Sequence, residues 1–233
     1  MGIPVIFHDL GMTDYHQMWD FQEKLFSAAM DCKQQQRNGD LSGNAPENHL
    51  IFCEHPHVYT IGKSGKMQNL LINPDFLKSI EATVVNTNRG GDITYHGPGQ
   101  LVGYPIFDLE QFNLSVKDYV HLLEESIIRL IALYGINGTR SPGATGVWLD
   151  VGTARERKVC AIGVRASRYI TMHGFALNIN TDLKYFSYIN PCGFLDKGVT
   201  SMEKELKQLV GFDEVKLKLK GILAEVFGAT LLL

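Results

Sequence analysis

The sequence predicts an α/β protein in which a mixed central β-sheet is flanked by helices. Two patterns indicate this architecture. Short apolar runs bounded by turn residues occur in groups, and segments with helical spacing lie before, between and after those groups. Strands that follow one another in runs, rather than alternating singly with helices, favour a mixed or mostly antiparallel sheet with helices packed on it. We expect residues 1–233 to form a single domain.

Helices are predicted where a capping residue precedes an apolar period of three to four residues. The first begins at Thr13-Asp14 and runs to about residue 35, and the second begins at the capping box Ser115-x-x-Asp118 and ends at Gly135. Two more follow residue 200. One is opened by Thr200-x-x-Glu203, and the last covers residues 213–227 and is closed by Gly228.

Strands are predicted at apolar runs rich in β-branched and aromatic residues. They cover residues 50–53, 57–61, 83–87, 101–107, 146–151, 159–164 and 170–179. Pro105 lacks a backbone donor, so we expect its end of the fourth strand to lie at a sheet edge or a bulge. The polar stretch from Lys33 to Asn48 has no apolar period and is interpreted as the end of the first helix plus a mobile surface loop.

Charge and composition exclude several classes of function. The chain has 22 Lys and Arg against 25 Asp and Glu, a net charge of −3, which argues against nucleic acid as the main partner. No basic leader precedes an apolar core at the N-terminus, and no run approaches the roughly 20 apolar residues that cross a bilayer. We therefore expect a cytoplasmic protein that does not act at a membrane.

The four cysteines are Cys32, Cys53, Cys160 and Cys192. Their wide spacing fits neither a disulfide framework nor a structural zinc site. Cys53 and Cys160 lie in apolar strand patterns, which favour burial. Cys192 instead lies in the irregular stretch Asn190-Pro-Cys-Gly-Phe194, where a thiol is reachable and backbone amides can stabilise a thiolate. Cys192 is therefore a candidate nucleophile, and a structural role as a small buried side chain is the alternative.

Residues 89–100, RGGDITYHGPGQ, combine four glycines with six kinds of polar side chain. Such a loop lets the backbone approach a ligand closely, but a tight turn between two strands is the alternative. The stretch matches neither the dinucleotide fingerprint nor the phosphate loop.

Lys158 opens an apolar strand, so its ammonium group is expected near a buried end. Burial removes hydration that favours the charged form, which would lower its pKa and allow it to act as a base. A solvated lysine at a hairpin is the alternative. The histidines, including the pair His55 and His57, lack the spacing of an ordered ligand set, so we expect neither a metal nor another cofactor.

Five segments together resemble the lipoyl(octanoyl) transferase family, the octanoyltransferases of protein lipoylation. The segments are EHPHVYTIG at 54–62, RGGDITYHGPGQLVGY at 89–104, KVCAIGVR at 158–165, HGFALN at 173–178 and NPCG at 190–193. The resemblance spans about residues 50–200, and the match at 89–104 is the most specific. It implies the α/β core shared with biotin and lipoate protein ligases.

The resemblance also implies a reaction and its residues. In that family a cysteine takes the octanoyl group from acyl carrier protein and passes it to a lysine of a lipoyl domain. The cysteine falls on Cys192 and the lysine that handles protons falls on Lys158. The implied acceptors are lipoyl domains of 2-oxoacid dehydrogenase complexes and the glycine cleavage H protein, and the enzyme is expected to be a monomer. The implied substrate contacts are Arg89, Gly90, Gly91, Asp92, Ile93, Thr94, Tyr95, His96, Ala161, Ile162, Gly163, Gly174, Phe175 and Ala176.

Two departures from the family pattern are visible. His57 stands where relatives often carry a second proline, and Cys160 stands where they often carry a small residue, which suggests a second thiol near the pocket. Both expected protein partners are commonly acidic, so docking needs a local basic patch on this slightly acidic chain. The candidates, from clustering, are Lys63, Lys66, Arg165 and Arg168.

Three other functions remain open. An ATP-dependent lipoate or biotin ligase would share the core and need no catalytic cysteine, whereas an amidotransferase acting between carrier domains would share both the core and the cysteine. A non-catalytic module that binds acylated carriers is the third alternative. Cys192 and Lys158 argue against such a binder, since binding alone needs neither residue.

Overall fold

The computed structural model describes residues 2–38, 45–190 and 197–232. Its strands are β1 (Ile3–Met12), β2 (His49–Glu54), β3 (Val58–Ile61), β4 (Thr83–Asn86), β5 (Ile93–His96), β6 (Gln100–Ile106), β7 (Thr139–Ser141), β8 (Ala144–Leu149), β9 (Arg157–Ser167), β10 (Ile170–Asn178), β11 (Gly198–Val199) and β12 (Ala229–Leu232).

The α-helices are α1 (Tyr15–Arg37), α2 (Pro74–Ser79), α3 (Val116–Ala132), α4 (Met202–Leu206) and α5 (Phe212–Phe227). Short 3₁₀ helices cover Met67–Asn69 and Leu183–Tyr188. The Asp14 side chain caps α1, and the predicted capping box of Ser115 and Asp118 opens α3. Across the described ranges, the helices lack the combination of length and apolar character that spanning a membrane requires.

The described strands form two sheets. The larger has the order β12–β1–β2–β6–β10–β9–β8–β7, with β11 added beside β9, and the smaller has the order β4–β3–β5. The strands β1, β2 and β12 pair in parallel, whereas β2, β6, β10, β9, β8 and β7 pair antiparallel in succession. The predicted mixed sheet is therefore confirmed.

Helices cover both faces of the larger sheet because its central strands are apolar on both sides. On one face, Met18 and Phe26 of α1 pack against Ile51 of β2 and Met172 of β10. On the opposite face, α3 and α5 pack against the alternate residues of the same strands, including Phe52. The sheet is thus the middle layer of three, and its central strands β6, β10 and β9 are held on both sides.

Several predictions about local structure are corrected. Pro105 lies in the interior strand β6, opposite Leu50 of β2, rather than at an edge, and the ladder between β6 and β10 ends two residues before it, at Gly103. The cap of α4 is Ser201 rather than Thr200. Within residues 89–100, the segment Ile93–His96 is strand β5, which pairs with β3. Strands β1 and β12 were not predicted, because each depends on pairing between the two ends of the chain.

The stretch from Lys33 to Asn48 is not entirely a surface loop. Residues 39–44 lie outside the described ranges, but Lys33 is buried in α1 and forms an ion pair with Asp108, the two side chains being 4% and 5% exposed. Asn48 is also buried, and its side-chain oxygen accepts a hydrogen bond from the backbone of Asp108 at 2.8 Å. Both ends of this polar stretch therefore hold the chain that follows β6.

Lys33→Met should destabilise the fold by about 3–5 kcal/mol, because it leaves the Asp108 carboxylate buried without its cation. Glu110, 49% exposed, adds to the charge left behind. Urea unfolding followed by circular dichroism measures the change. The matched control is Lys24→Met, which removes an exposed lysine from the same helix. Equal stability of the two variants would contradict this account of the pair.

Candidate active site

A cavity of about 580 Å³ opens beside the central strands of the larger sheet, a volume within the range of small-molecule sites. Its walls come from β5, β6, β8, β9 and β10, from the loop at Arg89–Asp92, from the end of the second 3₁₀ helix and from Lys197–Val199. Thirteen of the fourteen predicted substrate contacts line the cavity, and the exception is Tyr95. Lys158 also lines it.

The loop at Arg89 is fixed from inside the protein. The guanidinium group of Arg89 is buried and donates to the backbone oxygen of Thr60 at 2.6 Å and to its hydroxyl at 2.9 Å. The backbone N–H of Gly90 donates to the oxygen of Val164 in β9 at 3.0 Å. The loop at Arg89 therefore ties the smaller sheet to the larger one, and the bonds to Thr60 fix the guanidinium group at the cavity wall.

Small residues shape the cavity wall between β9 and β10. A Cβ on Gly174 in β10 would lie 2.1 Å from the carbonyl oxygen of Gly103 in β6, so this position accepts only glycine. A Cβ on Gly163 in β9 would lie 3.0 Å from the oxygen of Gly90, so glycine lets the loop at Arg89 approach the strand. Gly163 pairs with Gly174, and Ala161 pairs with Ala176. All four residues line the cavity, and none of them places a long side chain in it.

Lys158 lies near the start of β9, as predicted, with its Nζ 4.5 Å from the centroid of the Trp148 ring. A Cβ on Gly146 would lie 3.5 Å from Cε of Lys158 and 2.5 Å from the oxygen of Cys160, so glycine with φ +121° lets the backbone pass beside the lysine. Burial, assisted by the positive charge of Lys197, lowers the pKa of Lys158 to about 8. A substantial neutral fraction is thus present near neutral pH.

Lys197 also lies over the ring of Trp148. Its Nζ lies 4.9 Å from the Trp148 centroid and forms an ion pair with Glu156 at 2.6 Å. Hydrogen bonds with Lys197 and with the backbone of Gly152 hold the pKa of Glu156 low, at about 2, so this carboxylate stays charged. Lys197 therefore remains paired with an anion, while Lys158 faces the cavity.

Cys192, the predicted nucleophile, lies outside the described residues, as do all of residues 191–196. The residues on either side of that segment are described. Asn190 lines the cavity and donates its backbone N–H to the oxygen of Asn69 at 2.7 Å. Lys197 also lines the cavity, and Val199 pairs with Lys158 across β11 and β9. Both flanks of the segment that contains Cys192 thus lie at the cavity wall.

Cys53 and Cys160 are buried, as predicted for strand cysteines. Burial raises the pKa of both thiols well above their usual value, which keeps them protonated. Cys160 does not line the cavity itself, and its side chain lies in the core between the sheet and α3, close enough to Lys158 of the cavity wall to interact with it electrostatically.

Buried histidines stay neutral in this site. His96 lines the cavity, bonds to Gln100 at 2.7 Å, and has its pKa lowered by burial to about 3. His173 also lines the cavity, its pKa is lowered by burial to about 3, and its Nε2 donates to Asn88 at 2.6 Å. Neither imidazole is therefore positively charged near neutral pH. Among the described residues, no three His, Cys, Asp or Glu side chains converge as a metal site would require.

Tyr95 is the predicted contact that lies away from the cavity. Its side chain alternates with those of Thr94 and His96 along β5, and its ring stacks on Tyr185 with centroids 4.9 Å apart. The Tyr95 hydroxyl bonds to Nδ1 of His57 at 2.7 Å. Tyr95 therefore holds the second 3₁₀ helix on the smaller sheet.

Sequence reasoning missed several residues of the cavity wall. Polar or aromatic examples are Tyr15, Thr145, Trp148, Phe186 and Lys197. Trp148 lies in a strand pattern, which predicts an ordinary core residue. Tyr15 belongs to the start of α1, which is far away in the sequence. Only the folded chain brings these residues together.

Comparison with known proteins defines the class. A family model described as the lipoyl protein ligase A/B catalytic domain matches residues 14–224, so the chain belongs to this family. Within it, an octanoyltransferase of Bacteroides thetaiotaomicron is 58% identical over 212 residues, which cover 91% of this chain and 90% of the relative. The resemblance predicted from the sequence is confirmed.

Solved structures show the same fold. A bipartite lipoate protein ligase from Thermoplasma acidophilum has a TM-score of 0.69 at 16% identity, covering 99% of this chain and 86% of that one. Lipoate-protein ligase A bound with ATP has a TM-score of 0.66 at 13% identity, covering 100% and 90%. At these identities the likeness concerns the fold, and it confirms the predicted ligase-type core.

Proposed function

We propose that the chain is an octanoyltransferase that moves an octanoyl group from octanoyl-acyl carrier protein, through a thioester on Cys192, to a lysine of a lipoyl domain. The acceptors would be the lipoyl domains of 2-oxoacid dehydrogenase complexes and the glycine cleavage H protein. The observation that carries the proposal is a cavity in which Lys158, with its lowered pKa, stands beside a wall of small residues. The 58% identical octanoyltransferase supports the same conclusion.

In the first half-reaction, neutral Lys158 takes the proton of the Cys192 thiol. The thiolate attacks the thioester carbonyl, the carrier thiolate leaves, and Lys158 returns the proton to it. One thioester bond forms as another breaks, so this step is nearly isoenergetic. A base with a pKa near 8 is suited to it, because both protonation states are accessible at neutral pH.

In the second half-reaction, the lysine of the lipoyl domain attacks the acyl-enzyme. A lysine amine is protonated in water at neutral pH and must lose a proton to become a nucleophile. Lys158 would accept that proton, and the second proton that the amine loses as the amide forms would pass to the departing Cys192 thiolate. An amide replaces a thioester, so the step runs downhill without ATP.

The acyl chain would lie along the small residues of β9 and β10. Burial of each methylene contributes up to about 0.8 kcal/mol, so a chain of eight carbons supplies much of the binding free energy. Ala161 and Ala176 place only methyl groups, and Gly163 and Gly174 no side chain, on the wall along which it would lie. We further propose that the enzyme acts as a cytoplasmic monomer with one catalytic domain and no cofactor.

Ala161→Leu should lower the kcat/KM for octanoyl donors by about 10- to 100-fold, because the added isobutyl group occupies the chain site. Butyryl donors, whose chains end earlier, should lose much less. Steady-state transfer with thioesters of two to ten carbons measures the profile. The matched control is Ala166→Leu, since Ala166 is exposed on the same strand and does not line the cavity. An unchanged chain-length profile in Ala161→Leu would count against this location of the acyl chain.

The proposed function is tested by incubating an apo lipoyl domain with octanoyl-acyl carrier protein and the enzyme in the absence of ATP. The domain should gain one octanoyl group, seen by mass spectrometry. Modification that requires ATP and free octanoate would instead identify a ligase. Transfer between two carrier domains, without use of the acyl carrier thioester, would identify an amidotransferase.

A further inference from the structure

Residues 63–71, which we call the rim segment, pack against the loop at Arg89–Asp92 that lines the cavity. The backbone N–H groups of Lys63 and Ser64 donate to the oxygens of Arg89 and Gly91 at 3.0 and 3.1 Å. The N–H of Leu71 donates to the oxygen of Tyr188 at 2.9 Å, next to Ile189 and Asn190, which line the cavity. The rim segment is therefore fixed directly on two parts of the cavity wall.

The outer surface of the rim segment is both basic and apolar. Lys63 and Lys66 are exposed, and the segment contains no acidic residue. Met67 and Leu71 are 54% and 59% exposed, a large fraction for apolar side chains. Exposed apolar side chains rimmed by charge are typical of sites where another protein binds. Arg165, another predicted member of the basic patch, instead forms an ion pair with Glu23 at 2.9 Å.

We propose that the rim segment is the docking site of the acyl carrier protein donor, an inference that rests on the proposed function. Lys63 and Lys66 would face acidic side chains of the carrier and the phosphodiester of its pantetheine arm, while Met67 and Leu71 contact apolar side chains beside the arm. The lipoyl-domain acceptor fits this rim less well. Although both partners are commonly acidic, the lipoyl domain has no phosphodiester for these lysines to face, and the lysine that it presents to the site is cationic.

The test measures the two half-reactions separately in the full-length enzyme carrying Lys63→Glu and Lys66→Glu together. Acylation is followed by intact-protein mass spectrometry with two donors, octanoyl-acyl carrier protein and the octanoyl thioester of N-acetylcysteamine, which has neither a protein nor a phosphate. Discharge of the acyl-enzyme is followed with an apo lipoyl domain. The matched control carries Lys204→Glu and Lys207→Glu, two exposed lysines that border a separate shallow groove.

Charge reversal at the rim should lower kcat/KM for the carrier by about 10- to 100-fold at low salt, and the difference should shrink as salt is added. Acylation by the small thioester and discharge to the lipoyl domain should stay unchanged, as should every rate in the control. A second variant, Met67→Ser with Leu71→Ser, should weaken use of the carrier in a way that salt does not restore.

Unchanged use of the carrier by the charge-reversed enzyme would overturn the proposal. So would an equal loss in the control, an equal loss with the small thioester, or a loss confined to the lipoyl-domain step, which would assign the rim to the acceptor. Failure of the proposed function looks different, because the unmodified enzyme would then take octanoyl from neither donor.

Discussion

Lys158→Met should slow acylation of the enzyme by about 10²- to 10⁴-fold at pH 7, the usual contribution of a positioned acid–base group. Methionine keeps an unbranched side chain beside the Trp148 ring but cannot take a proton. Single-turnover acylation by octanoyl-acyl carrier protein measures the change. The variant should not unfold more easily, because a buried lysine with a lowered pKa costs stability below pH 8 and methionine removes that cost.

The pH profile identifies the group that is lost. The neutral form of Lys158 is the active one, so the wild-type rate should rise with pH and level off above about 8. Lys158→Met should lose that transition. Lys197→Met removes the positive charge that helps to lower the pKa of Lys158, so it should move the transition to higher pH without abolishing it. A wild-type rate and profile in Lys158→Met would show that another group is the base.

Cys192→Ala should reduce octanoyl transfer by roughly 10⁴-fold or more, the scale seen when the nucleophile of a covalent enzyme is removed. Steady-state transfer to a lipoyl domain measures the loss. Cys160→Ala is the matched control, because the Cys160 thiol is buried in the core and its pKa is raised by that burial. Cys160→Ala should keep its activity. Retained transfer in Cys192→Ala would remove the covalent step from the mechanism and favour direct transfer.

Local signals predicted most of the fold. The Asp14 cap and the capping box of Ser115 and Asp118 act through neighbouring backbone groups, so the starts of α1 and α3 could be predicted from the sequence. Strands β1 and β12 could not, because the chain termini must meet before either is recognisable. Strand β5 was hidden in a glycine-rich stretch and forms only because β3 offers it a partner.

The sequence predicted some residues of the candidate site and not others. Lys158 was found because a lysine that opens an apolar strand is conspicuous in the sequence, and the glycine-rich loop was found by its composition. Trp148 contacts both Lys158 and Lys197, yet nothing local distinguishes it from a core tryptophan. Arg89 lines the cavity, as predicted, but the bonds of its guanidinium group to Thr60 inside the protein could not be predicted. Such roles depend on distances across the folded chain.

The central claim is that octanoyl transfer passes through a thioester on Cys192. Intact-protein mass spectrometry after incubation with octanoyl-acyl carrier protein, without ATP, tests it most directly. The account predicts one octanoyl adduct on the wild-type enzyme and on Cys160→Ala, its discharge by an apo lipoyl domain, and no adduct on Cys192→Ala. An adduct that persists in Cys192→Ala, or transfer to the lipoyl domain that begins only when ATP and free octanoate are supplied, would contradict it.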